Sequence, residues 1–231
     1  MWDFYQRATS PDVYFGARHG GHITHLIDSH VGFSRLTSAV DLSCGRGDVI
    51  KASLPYLRGR QRIFGTDFSG ESVELVNSRF EREPNFGEAL KIDAFPTPFE
   101  DGSFDLAIST EVIEHLTDDQ LDSTLREARR ILKTGGYIFI TTPNDEDRLA
   151  NTVICPDCGC TFHRWQHLRS WSDQLLTTTM SEFGFRKVFC GPVAWAETPL
   201  KRILFALAAA VKLKERTGLV YIGQLLPAAE N

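Results

Sequence analysis

One stretch of the chain combines side chains that can remove a proton or hold a divalent metal ion. It reads STEVIEHL and contains Glu111, Glu114 and His115. If the stretch is helical, Glu111 and His115 lie one turn apart, with Glu114 alongside. Carboxylates and imidazoles act as general bases and as metal ligands. We take these three residues as candidate catalytic residues. The alternative is that Glu111 only shields a bound ligand while His115 packs beneath a helix.

A second segment, CPDCGCTFHRWQH, is rich in cysteine and histidine. Its Cys-Pro-x-Cys-Gly turn is typical of structural zinc sites, because two thiolates on one turn can chelate the same ion. The spacing predicts a structural zinc ion bound by Cys155, Cys158 and His163, with His167 or Cys160 as the fourth ligand. A loop of free cysteines is the alternative.

Candidate binding residues for a nucleoside-like ligand follow three successive strand patterns. A glycine-rich loop comes after the first, where Gly45 and Gly47 let the backbone turn tightly and approach a ligand. Asp67 follows the second, as a carboxylate suited to ribose hydroxyls, and Asp93 follows the third, placed to accept from an adenine amino group. The full predicted set is Asp41, Ser43, Cys44, Gly45, Gly47, Asp67, Phe68, Asp93, Ala94 and Glu111.

The elements that position these residues alternate along the chain. Apolar, β-branched runs are separated by helical patterns, which predicts a parallel sheet covered by helices. The strand patterns are SAVDLSCG, RIFGTDF, ALKID, SFDLAIST, YIFITTP, FRKVFCG and LVYIGQLL. Helices are expected over 69–83, 118–132 (ended by Gly135 and Gly136), 171–183 and 199–216. We therefore predict an α/β fold with a seven-stranded, mostly parallel sheet, helices on both faces and an antiparallel last strand.

Length and composition favour one globular domain. The chain has 231 residues, 42% of them hydrophobic and 24% charged, and a net charge of −5. We expect a helical cap over 1–37, a ligand-binding core over 38–144, a Cys/His insert over 145–170, and a C-terminal part over 171–231 with a helical insertion at 195–216. No signal-peptide or membrane-spanning pattern is present, which predicts a cytoplasmic protein.

The motifs over residues 38–144 resemble those of class I, Rossmann-like S-adenosylmethionine-dependent methyltransferases, in particular the methyltransferase type 11 group. VDLSCGRGD is similar to their first motif and IFGTDFSGESVELV to their second. The resemblance implies S-adenosylmethionine as the methyl donor. Ser43 stands where the family usually has a glycine, and a serine is tolerated there if its φ is negative. A dinucleotide-dependent dehydrogenase is the rival, but Asp48 would oppose a phosphate at the helix start.

EVIEHL is also similar to a segment of ubiquinone-pathway O-methyltransferases and of small-RNA 3′-terminal 2′-O-methyltransferases. In those families two acids and two histidines hold a divalent metal ion against the substrate hydroxyl. The resemblance implies a Mg²⁺ site formed by Glu111, Glu114, His115 and His167, with His163 as the second choice for the last position. Because His167 cannot serve both this ion and zinc, one of the two predicted ligand sets is wrong in detail.

These observations predict O-methylation of a small or carrier-linked molecule such as a phenol, sugar or lipid precursor. RNA is the second candidate acceptor, and the acidic balance argues against nucleic acid as a partner. A non-catalytic donor-binding module with a zinc loop is a third hypothesis.

The helix predicted over 199–216 has an apolar face with basic ends. We favour a lid over the pocket or an oligomer contact for this helix, rather than contact with a membrane surface. Candidate acceptor-pocket residues are Tyr5, Tyr14, Phe15, His19, His22 and His25.

Overall fold

The computed structural model describes residues 14–196, 200–201, 204–205 and 217–227. The helices are α1 (Phe15–His30), α2 (Asp48–Ser53), α3 (Gly70–Phe80), α4 (Asp118–Ile131) and α5 (Asp173–Glu182), with single 3₁₀ turns at Phe33–Arg35 and Leu54–Tyr56. The strands are β1 (Ser38–Leu42), β2 (Arg62–Asp67), β3 (Phe86–Lys91), β4 (Phe104–Thr110), β5 (Leu132–Pro143), β6 (Thr152–Ile154), β7 (Thr161–His163), β8 (Phe185–Val193) and β9 (Gly218–Leu225).

Seven of these strands form one sheet in the order β3-β2-β1-β4-β5-β9-β8. The first five strands run parallel, and β9 runs antiparallel between β5 and β8. The predicted fold class is therefore confirmed, including the antiparallel last strand. The strand order reverses at β1, with β2 on one side and β4 on the other, and this is where open α/β sheets bind ligands.

Each face of the sheet has its own apolar core. Alternate residues of a strand point to opposite faces, so Ala39 joins one core and Val40 the other. Helices α1, α2 and α3 cover the first face, and α4 and α5 cover the second. On α4 the buried residues Leu121, Leu125 and Ala128 recur at helical spacing, as the sequence predicted.

Side-chain caps fix where the main helices begin. Ser69 accepts a hydrogen bond from the backbone N–H of Ser72 before α3, and Thr117 forms a capping box with Gln120 before α4. The end of α4 differs slightly from expectation. Strand β5 begins at Leu132, directly after the helix, so the Gly135–Gly136 pair lies inside the strand rather than ending the helix.

The segment over 145–170, for which no periodicity was evident, contains a small hairpin. Strands β6 and β7 pair antiparallel outside the main sheet, with Ile154 opposite Thr161 and Thr152 opposite His163. The helix predicted over 199–216 lies mostly outside the described residues, as does Tyr5. Within the described part of the chain, no helix is both long and apolar enough to cross a membrane.

Candidate active site

A cavity of about 600 Å³ opens at the carboxyl ends of β1, β2 and β4, where the strand order reverses. Its volume is ordinary for a small-molecule site. The lining residues from the loops after these strands are Ser43, Cys44, Gly45, Arg46, Asp67, Phe68, Thr110, Glu111, Val112, Glu114 and His115. Helix α1 and the chain after β7 add Tyr14, Phe15, Arg164, Trp165, Gln166 and His167. Six of the ten predicted donor-binding residues therefore share one cavity with the predicted catalytic residues Glu114 and His115: Ser43, Cys44, Gly45, Asp67, Phe68 and Glu111.

The loop after β1 is a tight, left-handed turn. Gly47 has a φ of +72°, and a Cβ there would lie 2.7 Å from a ring carbon of Phe80. Both features require glycine at this position. Ser43 has a φ of +66°, so the condition of a negative φ is not met. The serine adopts the left-handed conformation of the glycine that it replaces, at a cost of about 1–2 kcal/mol.

Asp67 anchors this loop to the end of β2. One carboxylate oxygen accepts a hydrogen bond from the backbone N–H of Gly45 at 2.8 Å, and the other accepts from that of Ser69, also at 2.8 Å. The carboxylate is thereby held at the cavity wall. Asp93 and Ala94, also predicted to bind the donor, are exposed and do not line the cavity; the Asp93 side chain is 85% exposed and pairs with Lys91.

Asp41 lies beneath the loop rather than on the cavity wall. It is 1% exposed, and its Oδ1 has no hydrogen-bond partner within the described part of the chain. Burial, together with the negative charges of Asp67 and Asp48, raises the pKa of this carboxyl group well above its usual value. A buried carboxylate oxygen without a donor is costly, and a cationic group of a ligand could compensate for it.

The STEVIEHL segment is not a helix: its first two residues end β4, and residues 111–116 form a turn. The helical spacing expected for Glu111 and His115 therefore does not apply. Glu111 has a φ of +54°, and the backbone N–H of His115 donates to the carbonyl of Val112. The carboxylate of Glu111 accepts from the Thr141 hydroxyl at 2.8 Å. Burial raises the pKa of Glu111 to about 7, against the opposing effect of that hydrogen bond.

Glu114 is the most deeply buried acid of this segment, at 1% exposure. One oxygen accepts from the Thr142 hydroxyl at 2.9 Å. The other, Oε1, has no hydrogen-bond partner among the described residues and lies 3.9 Å from Nε2 of His115. Burial and the nearby Glu111 raise the pKa of Glu114. A metal ion would satisfy such an oxygen, because buried carboxylates are normally paired or coordinated.

Two histidines complete a group with Glu114. Ligand atoms of Glu114, His115 and His167 all lie within 4.8 Å of one another, and the two rings are 4.8 Å apart between centroids. Burial and the neighbouring His167 lower the pKa of His115 to about 4. The ring is then neutral at pH 7, as a metal ligand must be. The turn of the chain at Glu111–His115 and the segment after β7 bring these residues together.

Glu146 is a further site residue that the sequence did not reveal. Its carboxylate pairs with Nδ1 of His167, and its other oxygen lies 3.4 Å from Nε2 of His163. Nδ1 of His163 accepts backbone N–H groups from Trp165 at 3.3 Å and His167 at 3.1 Å. Since an accepting nitrogen carries no proton, the proton of neutral His163 is on Nε2, facing Glu146.

The four ligands predicted for one zinc ion lie in two groups. Cys155 and Cys158 come within 4.8 Å of Cys160 at the tip of the β6–β7 hairpin. His163 and His167 instead form a group with Glu146, whose ligand atoms also lie within 4.8 Å of one another. The separation follows from the hairpin register, because His163 pairs with Thr152 at the end away from the cysteine loop.

The acceptor candidates at the start of α1 and along it divide into three sets. Tyr14 and Phe15 line the cavity. His19 and His22 contact the ring of Trp195 at 5.7 and 5.5 Å between centroids. His25 is exposed. Only the first set is placed to meet a substrate in this cavity.

Comparison with known proteins agrees with this geometry. Residues 40–140 match the family described as "Methyltransferase domain". A probable S-adenosylmethionine-dependent methyltransferase of Mycobacterium tuberculosis is 31% identical over 158 residues, which cover 68% of this chain and 53% of the relative. A ubiquinone biosynthesis O-methyltransferase of Pelagibacter ubique is 32% identical over 109 residues, covering 46% of this chain and 41% of the relative. Other relatives are named as C-methyltransferases and tRNA N(3)-methylcytidine methyltransferases.

Among solved structures, the complex of the Haloferax volcanii Trm112 methyltransferase activator with a putative methyltransferase matches with a TM-score of 0.70 at 20% identity. The alignment covers 100% of this chain and 98% of that one. At this identity the likeness shows the fold. The chain spans from 33% to 53% of the length of the first curated relatives that it matches.

Proposed function

We propose that the chain is an S-adenosylmethionine-dependent methyltransferase, as the family match over residues 40–140 and the similarity to the Mycobacterium tuberculosis relative indicate. We propose further that it transfers the donor's methyl group to an oxygen atom of a small or carrier-linked molecule. The observation that carries the proposal is the cluster of Glu114, His115 and His167, which shares a cavity with the donor-side residues Asp67 and Gly45. A phenol, a sugar or a lipid precursor has the hydroxyl group that this cluster suits.

The donor half of the cavity supports the proposal through hydrogen bonding and charge. Asp67 can accept from two ribose hydroxyls, since its carboxylate is held in place by two backbone N–H groups. Gly45 presents backbone to the ligand without a Cβ. Methyl transfer by displacement depends mainly on this alignment.

The acceptor half suits a divalent ion such as Mg²⁺, held by Glu111, Glu114, His115 and His167. The fit rests on a buried oxygen of Glu114 that accepts no hydrogen bond from the described residues, and on a mixed set of carboxylate and imidazole ligands. A bound divalent ion supplies Lewis acidity that favours the ionised form of an acceptor hydroxyl. The threonine hydroxyls of β5 orient the two carboxylates, and burial keeps water away from them.

Glu146 contributes by positioning His167. Its carboxylate pairs with Nδ1 of the imidazole, so Nε2 remains available to bind an ion in the cavity. Carboxylate–histidine–metal arrangements of this kind fix the tautomer and orientation of the ligating ring. His163 supports the same carboxylate from the other side and acts in this account as a positioning residue rather than as a ligand.

RNA is the second candidate acceptor, favoured by the relatives that are named as tRNA methyltransferases. A net charge of −5 argues against it, since RNA-binding surfaces are usually basic. The experiment that separates these candidates is transfer of isotopically labelled methyl from S-adenosylmethionine into cell extract, followed by fractionation. Label in small-molecule, lipid or polysaccharide fractions supports the proposal, and label in RNA replaces it with the second candidate.

The same experiment tests the hypothesis that the chain binds the donor without catalysing methyl transfer. Glu111→Gln is expected to reduce label transfer strongly while donor affinity, measured by calorimetry, changes little. If wild-type chain binds the donor but labels no fraction of an extract from its own organism, the proposal of methyl transfer fails.

A further inference from the structure

The three cysteines at the tip of the β6–β7 hairpin lie outside the cavity and have no part in the proposed chemistry. We propose that Cys155, Cys158 and Cys160, called here the thiol cluster, bind one zinc ion that holds the hairpin closed beside the active site. The histidines predicted from sequence as co-ligands are not part of this site. The inference does not depend on the proposed methyl transfer.

The backbone of the loop is folded for chelation. The N–H of Cys155 donates to the carbonyl of Cys160 at 2.8 Å, and the N–H of Gly159 donates to the carbonyl of Cys155 at 2.9 Å. Gly159 has a φ of +72°, a conformation that favours glycine. These contacts fold the loop back on itself, so that all three sulfur atoms face one another within 4.8 Å.

The distances suit a thiolate-bound zinc ion. Two sulfurs at the usual Zn–S distance of about 2.3 Å in a tetrahedral site lie about 3.8 Å apart. The three sulfurs lie within 4.8 Å of one another. Cys158 and Cys160, at 3.1 Å between sulfurs, would need to move apart by about 0.7 Å to bind the ion.

Neither histidine can complete this site without leaving its present partners. His163 accepts two backbone N–H groups at Nδ1 and faces Glu146 through Nε2, and His167 pairs with the same carboxylate. Cys158 and Cys160 are exposed, so the fourth ligand would come from solvent. The site would then be more open than structural zinc sites with four protein ligands.

The position of the hairpin gives the ion a structural role. Strand β7 ends at His163, and the next residues, Arg164–His167, form part of the cavity wall. The strands have only three residues each, and an isolated pair of this length is marginal in water. A metal cross-link at the tip closes the loop and limits its opening, which keeps that wall segment in place.

The test is metal content of the full chain purified under reducing conditions without chelator. Wild type is expected to retain zinc, and Cys155→Ser, Cys158→Ser and Cys160→Ser each to lose at least about tenfold in zinc affinity. Cys190→Ser, at a half-buried cysteine on β8, is the matched control and is expected to keep wild-type zinc content, as is His163→Asn. Circular dichroism and thermal unfolding verify that each variant is folded.

Zinc bound elsewhere in the chain is distinguished by cobalt substitution. Cobalt in the thiol cluster gives near-ultraviolet sulfur-to-metal charge-transfer absorption, which a site of only carboxylates and imidazoles does not give. Limited proteolysis around residues 155–167 is expected to accelerate when zinc is removed. The proposal is overturned by zinc content that survives Cys160→Ser but is lost in His163→Asn, by absence of the charge-transfer band, or by a Cys158–Cys160 disulfide in the reduced preparation.

Discussion

Glu146 pairs through its carboxylate with the imidazole of His167, although the two residues are separated by 21 positions in the chain. His167 lines the cavity, and Glu146 lies behind it. Glu146 follows β5, and His167 follows the hairpin that begins a few residues later. The pair explains why His167 faces His115 and Glu114 rather than the cysteines. It also makes the acceptor side of the site depend on a residue that contributes nothing directly to the cavity lining.

Replacing Glu146 by glutamine tests this dependence. The glutamine amide can accept from only one of the two histidines, so His167 loses its fixed orientation. We expect the affinity for a divalent ion to fall about 10- to 100-fold and the turnover number to fall with it, while donor affinity stays near wild type. Glu88→Gln, at an exposed position on β3, is the control. A Glu146→Gln variant with wild-type metal affinity would show that Glu146 has no positioning role.

Asp67 and Asp93 provide a paired test of the donor site. Asp67 lies on the cavity wall, whereas Asp93 is exposed outside it. We expect Asp67→Asn to weaken S-adenosylmethionine binding by roughly tenfold or more, because a charged acceptor of hydroxyl hydrogen bonds is lost. Asp93→Asn is expected to change it less than about threefold, well under 1 kcal/mol. Calorimetric titration of folded variants decides, and equal losses would restore the sequence-based assignment of Asp93 to the adenine.

Alanine substitutions at two glycines with left-handed φ distinguish the cost of backbone strain from the cost of steric overlap. Gly59 has a φ of +56° and open space around it, while a Cβ on Gly47 would meet Phe80 at 2.7 Å. Gly59→Ala is expected to lower the free energy of unfolding by about 1 kcal/mol, from strain alone. Gly47→Ala should lower it by a further 1–3 kcal/mol, roughly the cost of overpacking a core. Urea unfolding measures both, and equal costs would contradict the close approach to Phe80.

The lowered pKa of Asp105 predicts that this residue contributes to stability in a pH-dependent way. Partial burial alone would raise its pKa, but hydrogen bonds from Lys133 and Thr37 lower it to about 2. The unfolded chain binds this proton more tightly, so the stabilisation is fully present above about pH 4 and is lost as pH falls towards 2. Asp105→Asn should cost about 1–2 kcal/mol at pH 7 and less at pH 3. A cost that does not change with pH would contradict the lowered pKa.

The main sheet could be predicted from the sequence because apolar residues recur with strong, regular periodicity in its strands and in the helices that cover it. Residues at strand ends, such as Asp67, could also be placed, since the carboxyl ends of parallel strands meet at one edge. The sequence failed where position depends on loop conformation. Glu111 turns with a positive φ instead of starting a helix, and Asp93 points to solvent after β3.

Glu146 could not have been found from the sequence alone. It lies in the polar stretch NDEDR, where nothing distinguishes it from the acids beside it. Its role follows from tertiary contacts with His163 and His167, and those depend on a hairpin with strands too short to leave a periodic pattern. The assignment of the two histidines to zinc had the same cause, because spacing alone does not show which way a side chain points.

The measurement that tests the central claim most directly is transfer of labelled methyl from S-adenosylmethionine by metal-stripped chain, using the acceptor fraction that wild type labels. We predict that chelation abolishes transfer, that Mg²⁺ or Mn²⁺ restores it, and that Glu114→Gln stays inactive at concentrations that restore wild type, with donor binding intact in all samples. Undiminished transfer by the metal-stripped chain would contradict the account of metal-assisted O-methylation.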